Sequence, residues 1–183
     1  DPMIFAKTNV LGTCVLLDAC LRHSRKRFHH VSTDEVFGEL AIGDPPFSEN
    51  TPLDPKSPYS ASKAASDLMV KSYYSAYGLP ITITNCANNY GAYQDPEKLI
   101  PRFITKLLSN NKVPLMEKGE NIRSWLSVED HYQAIDQVLK KGKIGDSYCV
   151  GGEEKTNLEV TQKILKVLDR DESWIDFVGN RAV

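Results

Sequence analysis

The sequence predicts an α/β fold built on a parallel sheet, and three observations predict it. Phe28–Ser32 reads as a short strand, and Ile81–Cys86 as a β-branched strand of the kind that lies buried on both faces. Between them, Ser57 to Tyr77 reads as one long helix, so strand, crossover helix and strand make a βαβ unit. At 183 residues, 41% hydrophobic and 25% charged, the chain is long enough for a sizeable core and ordinary in composition for a globular protein.

The elements follow in order. Asn9 to His23 carries Val10, Cys14, Leu16, Leu17, Cys20 and Leu21 at helical spacing. Gly38 to Lys56 holds Pro45, Pro46, Pro52 and Pro55 and is expected to be loop. Ser57-Pro58 is a helix start, a capping serine followed by a proline with preset φ, and Gly78-Leu79-Pro80 is a stop. Beyond Tyr90-Gly91 the pattern changes. Helices are expected over Glu97–Ser109, from Ser127-Val128-Glu129-Asp130 onward, and over Asn157–Asp169 with Leu158, Val160, Ile164, Leu165 and Leu168 inward. Tyr148–Val150 and Trp174–Val178 are expected as short strands. This organisation divides the chain into residues 1–91 and 92–183.

Charge excludes some partners. With 22 basic against 24 acidic residues, net charge is −2, and nothing favours nucleic acid or an anionic membrane. No apolar stretch reads as long enough to cross a bilayer, and no signal peptide is expected at the Asp1-Pro2 start. Cys14, Cys20, Cys86 and Cys149 form no Cys-x-x-Cys pair, so free thiols in a reducing cytoplasm are expected and a metal site is not. His29 and His30 are adjacent in a strand and point to opposite faces, which suits no shared metal.

Two runs carry chemistry. Thr33, Asp34 and Glu35 follow a strand's carboxyl end, where open parallel sheets bind ligands. Adjacent carboxyls in a dry cleft push one pKa up, so one serves as acid and the other as base. Tyr59 and Lys63 lie one helical turn apart on one face, where an ammonium is expected to lower the phenol's pKa. Such a phenolate takes a proton from an alcohol while hydride leaves the same carbon for a nicotinamide. Alone, each pattern more often marks a solvated loop or a surface helix; together, in a βαβ unit, they point to redox-assisted elimination.

At this point a resemblance can be stated. Thr8-Asn9-Val10-Leu11-Gly12-Thr13, Ser32 to Gly38, Ser57 to Lys63 and Asn85 to Gly91 resemble the extended short-chain dehydrogenase/reductases. Pro96 to Pro101, Arg123 to His131 and Gly151 to Asn157 point the same way. Within that family the Thr-Asp-Glu triplet is similar to the dTDP-glucose 4,6-dehydratases; related epimerases carry serines and an alanine there. The resemblance implies a Rossmann-like sheet with a smaller substrate-binding part. It also implies NAD as cofactor and a nucleoside-diphosphate hexose, dTDP-glucose, as substrate. Thr33, Asp34, Glu35, Tyr59 and Lys63 would be catalytic. Thr8, Tyr59, Lys63 and Asn89 would touch NAD. Thr33, Asn88, Lys98, Leu99, Pro114, Leu115, Met116, Arg123 and Asn157 would line the nucleotide-sugar site.

Departures accompany it: Ala92, Met116 and Ser124 stand where the family carries a proline, an aromatic residue and an aspartate, and Gly179–Val183 matches its Asp-Arg-Pro-Gly run in part. No Gly-x-Gly-x-x-Gly or Gly-x-x-Gly-x-x-Gly occurs, so the chain reads as the middle and later part of a larger enzyme. Alternatives are a UDP- or GDP-sugar dehydratase, a 4-epimerase, or an inert association fragment. Leu68, Met69, Tyr73 and Tyr77 mark the Ser57–Tyr77 helix as a homodimer surface.

Overall fold

The computed structural model describes residues 1–23, 26–40 and 43–179. It divides into two compact units. The first holds Asp1–Ala87 and Asp130–Val150, the second Asn88–Glu129 and Gly151–Val183. The segment Asp130–Val150, which the sequence reading placed with the second part, returns to the first because its strand pairs there.

The first unit opens with a helical run: α1 (Pro2–Phe5), a π-helical turn (Ala6–Leu11) and α2 (Gly12–Arg22). Asp1 caps it and Pro2 sits in its first turn, so helix begins earlier than Asn9. This corrects the expectation that no apolar stretch approaches spanning length. Pro2–Arg22 is long and apolar enough by length and composition, and little of it is buried.

Strand β1 (Phe28–Thr33) pairs in parallel with β2 (Ile81–Cys86), in register from Phe28 opposite Ile81 to Thr33 opposite Cys86. Crossover helix α3 (Pro58–Tyr77) joins them. Its limits match the sequence reading because the local chemistry is complete. Ser57 and Ser60 form a reciprocal capping box, Pro58 fills the first turn, and Gly78 closes the helix in the left-handed region. Ser60, Ser62, Ala64 and Ser66 are buried on α3, and these small side chains fit a closely packed helix face. The core beneath is Leu17, Val70, Leu79, Ile81 and Ile83, all fully buried. Each contributes about 1.5–3 kcal/mol through burial.

Helix α5 (Val128–Lys141) and strand β6 (Ser147–Val150) complete this unit, and β6 pairs in parallel with the far edge of β2. All six residues of β2 are therefore buried, with a strand on each side. Arg27 donates to the carbonyls of Val138, Leu139 and Gly142, capping the end of α5. The histidines diverge as expected: His30 is buried, while His29 approaches the hydroxyls of Thr82 and Thr84. Cys14, Cys20, Cys86 and Cys149 are free thiols, but only Cys86 is buried.

Besides the expected strand at Ile175–Val178, the second unit contains strands the sequence reading did not find. β3 (Asn88–Tyr90) pairs in parallel with β5 (Ile122–Ser127), and β5 pairs antiparallel with β7 (Glu153–Thr156). β4 (Val113–Met116) pairs in parallel with β8 (Ile175–Val178). Gly152 is required at the β5–β7 approach, where a Cβ would lie 2.0 Å from the Trp125 carbonyl oxygen. Helix α4 (Leu99–Leu108) is shorter than expected at both ends, with Pro101 in its first turn. Helix α6 (Asn157–Val167) stops short of Asp169, which has φ 53°. Phe103, Leu107, Val113, Leu115, Val160, Ile164, Leu165 and Ile175 form this unit's core. Residues 180–183 of the partial Asp-Arg-Pro-Gly match lie outside the described residues.

Ser57→Ala removes one half of the α3 capping box. Chemical denaturation should show a loss of about 1 kcal/mol, with Ser57→Gly milder.

Candidate active site

In the first unit, β1 ends at Thr33, whose hydroxyl accepts from the Glu35 amide at 3.3 Å and so caps a 3₁₀ turn over Asp34–Phe37. Val36 and Phe37 anchor that turn in an apolar cluster with Ala64, Phe47 and Cys149. Gly38 releases it: φ is 96°, and a Cβ there would lie 2.7 Å from the Asp54 carbonyl oxygen. With both apolar residues held inward, Asp34 is left half-buried and Glu35 exposed.

The other half of the constellation rises from the first turn of α3. The Tyr59 ring is 36% exposed and meets Phe5 edge-on, with centroids 5.6 Å apart. Lys63, one turn later, is half-buried and donates from Nζ to the Val31 carbonyl at 2.8 Å. Asn9, in the π-helical turn, donates from Nδ2 to Ser62 Oγ at 2.9 Å, and Ser62 Oγ donates to the Tyr59 carbonyl at 2.7 Å. The amino-terminal helix therefore braces the turn that carries Tyr59. Asn9 was legible only as part of a family motif, and nothing in its spacing pointed to this bond.

Electrostatics tie the two runs together. Asp34 is pushed up to about 6, chiefly by burial and then by the neighbouring Glu35 charge; the Thr33 hydroxyl opposes this. Tyr59 is raised rather than lowered, first by burial, then by the charges of Glu35, Cys86 and Asp34. This corrects the sequence expectation. Lys63 directs its ammonium at a strand carbonyl and is not among the groups that move the phenol. Lys63 is itself lowered by burial, with Asp67 and Cys86 pulling it back up. Thr33, Asp34, Glu35, Tyr59 and Lys63 thus gather in the first unit, with Cys86 beside them; its Sγ donates to the Ser32 carbonyl at 3.2 Å. Sequence reasoning gave Cys86 and the buried Asn85 no role in the site and did not mention the buried Asp67.

Of the proposed NAD contacts, Thr8 is exposed in the π-helical turn of the first unit, and Asn89 lies half-buried in β3 of the second. Apart from Thr33, the proposed nucleotide-sugar contacts all belong to the second unit. Asn88 opens β3, Lys98 is exposed just before α4 and Leu99 is its first residue. On β4, Pro114 and Met116 share the open face while Leu115, 2% exposed, points into the core. The Leu115 side chain is therefore corrected from ligand contact to core. Arg123 is exposed on β5, in register opposite Lys155, and Asn157 opens α6. Two cations directly across a strand pair repel unless an anion sits between them; the Glu153 carboxylate bonds Lys155 at 2.6 Å. Ser124 accepts from the Gly152 amide at 2.9 Å, so it serves the strand pair rather than the site. The unit also holds an apolar cleft of about 410 Å³ lined by Ile100, Ile104, Trp125, Val160 and Ile164, and none of the eight proposed nucleotide contacts lines it.

Residues 1–180 match the family model described as GDP-mannose 4,6 dehydratase. A dTDP-glucose 4,6-dehydratase of Mycolicibacterium smegmatis is 47% identical over 100% of this chain and 55% of its own length. A crystal structure of the dTDP-glucose 4,6-dehydratase of Bacillus anthracis in complex with NAD superposes with TM-score 0.93 at 46% identity, covering 98% of this chain and 58% of that one. The Streptomyces venezuelae enzyme DesIV, solved with NAD, gives 0.94 at 44% identity, over 99% and 56%. The chain spans about half the length of these relatives.

Two titrations test the acid pair. Glu35→Gln removes a repelling charge, so the Asp34 carboxyl should titrate lower by ¹³C NMR yet stay above the ordinary 3.8, because burial is the larger cause. The folded chain holds a proton that an unfolded Asp34 releases, so between about pH 4 and 6 this group's contribution to stability falls as pH rises. Asp34→Asn should remove that slope in pH-dependent denaturation.

Proposed function

This chain belongs to the GDP-mannose 4,6-dehydratase family, and on that premise we propose that it carries the catalytic centre of an NAD-dependent dehydratase acting on dTDP-glucose. The observation that carries this reading is the pairing of a Thr-Asp-Glu turn at the end of β1 with Tyr59 and Lys63 on the helix that follows. A serine and alanine in place of the carboxyls would leave an epimerase without an acid–base pair, so the triplet favours dehydration over 4-epimerisation.

The donor set suits the nicotinamide ribose: a half-buried ammonium and an exposed phenol one turn apart at the carboxyl edge of a parallel sheet. Bound there, NAD supplies the two-electron acceptor for hydride from sugar C4 and the donor that returns it to C6. Thr33 orients the C4 hydroxyl, and Tyr59, in the phenolate form that its raised pKa keeps scarce, takes its proton as C4 becomes a ketone. Glu35, the more exposed carboxylate, removes the C5 proton that the ketone acidifies. Asp34, lifted to about 6, keeps a proton available near neutral pH and gives it to the C6 oxygen, which leaves as water. Glu35 returns its proton to C5 as C6 gains hydride. The proton collected by Tyr59 balances the one Asp34 gives up, and the product is the 4-keto-6-deoxy sugar. Arg123 suits bidentate contact with the diphosphate.

A second reading, an association module, is favoured by a specific surface. Leu68 and Tyr77 on α3, and Met3, Leu11, Val15 and Leu16 on the amino-terminal helical run, are all more than half exposed. An apolar face of this kind suits another copy of the chain, giving a homodimer, better than it suits water. It is compatible with catalysis and with a cytoplasmic enzyme.

The full-length protein should convert dTDP-glucose to its 4-keto-6-deoxy product, and Tyr59→Phe should cost about 10²–10⁴-fold in kcat. Interconversion of two hexoses without loss of water would defeat the dehydratase reading. Sedimentation should show a dimer at micromolar concentration, and a monomer throughout would remove the association surface.

A further inference from the structure

Beneath the candidate site lies a buried polar chain that the proposed chemistry does not use. Asp67, on α3 one turn beyond Lys63, is 3% exposed. Its Oδ2 accepts from Asn85 Nδ2 at 3.0 Å, and the same amide approaches the Thr33 carbonyl at 3.3 Å. Its Oδ1 lies 3.2 Å from His30 Nε2, an ion-pair distance without hydrogen-bond alignment. Asn85 and His30 are 3% and 8% exposed, so water cannot screen this cluster. Three elements meet on one carboxylate: β1 through His30, β2 through Asn85 and α3 through Asp67 itself.

Burial of an acid is costly and is retained where a specific contact needs it. Two contacts here lead to the candidate catalytic groups. Asn85 links Asp67 to the backbone of Thr33, at the strand end that launches the Asp34–Glu35 turn. Asp67 is also the larger of the two charges, with Cys86, that offset the burial of Lys63. The geometry points to Asp67 as a positioning residue: it sets a buried carboxylate one helical turn from Lys63 and, through Asn85, fixes the end of β1 relative to α3. This inference rests on the roles proposed for Thr33, Tyr59 and Lys63, and it identifies a residue that touches no substrate.

The test needs neither substrate nor cofactor, so its failure is distinct from failure of the dehydratase reading. Lys63 is followed by ¹³Cε NMR across alkaline pH in this chain, assigned by loss of the signal in Lys63→Arg. In Asp67→Asn its midpoint should fall by at least about half a unit, because an opposite charge is gone. In Asn85→Ala, which leaves the carboxylate, the Lys63 midpoint should hold while amide exchange at Thr33 to Glu35 accelerates. If Asp67→Asn does not fold, the paired change His30→Leu with Asp67→Leu replaces the buried polar pair by apolar groups and should give the same fall. An unchanged Lys63 midpoint in a folded Asp67 variant overturns the inference. So does an equal fall in Asn85→Ala, which would mean general loosening rather than loss of a charge.

Discussion

The parallel pairing of β1 with β2, closed by a single crossover helix, is the constraint on which the rest depends. A chain that leaves the carboxyl end of one strand and returns as a parallel neighbour must run its helix back along the sheet. The helix therefore starts at the edge where the strand ended. Thr33 is the last residue of β1 and Tyr59 lies in the first turn of α3, so topology brings them to one edge before any side-chain interaction is considered. The buried strand β2, paired on both sides, makes that edge rigid. Small buried side chains along α3 suit close packing, and close packing is what lets Asp67 reach Asn85.

Within that frame, two adjacent carboxyls become unlike. Val36 and Phe37 must be inside, and a 3₁₀ turn spaces side chains so that Asp34 is drawn in while Glu35 stays in water. One acid then holds its proton to about 6. The difference arises from where two apolar neighbours pack, not from any change in the carboxyls themselves.

Legibility from sequence followed the strength of local signals. Helix α3 was bounded correctly because Ser57, Pro58 and Gly78 each carry a backbone preference, and β2 because six residues in a row suit a buried strand. Strands β3 and β7, Asn-Asn-Tyr and Glu-Glu-Lys-Thr, offer no alternation and no apolar face; partners elsewhere in the chain define them. In the site, the spacing of Tyr59 and Lys63 was readable, but the sign of the Tyr59 shift was not. That sign is set first by burial and then by the Glu35 charge, while Lys63 bonds the Val31 carbonyl, and no spacing rule encodes either. Leu115 was assigned to the ligand from a motif, whereas the two-residue period of a strand already turns it away from Pro114 and Met116. Asp67 and Asn85 looked like ordinary polar residues, because burial is a property of the fold.

Strand β6 joins its sheet only after the chain has passed through Asn88–Glu129 in the other unit. A ribosome releasing this polypeptide exposes β2 long before its second neighbour has been made. Until then one edge of the most buried strand offers open amides and carbonyls to any passing β-segment. Synthesis order thus sets a window of vulnerability to mispairing, and the late return of residues 130–150 is what closes it.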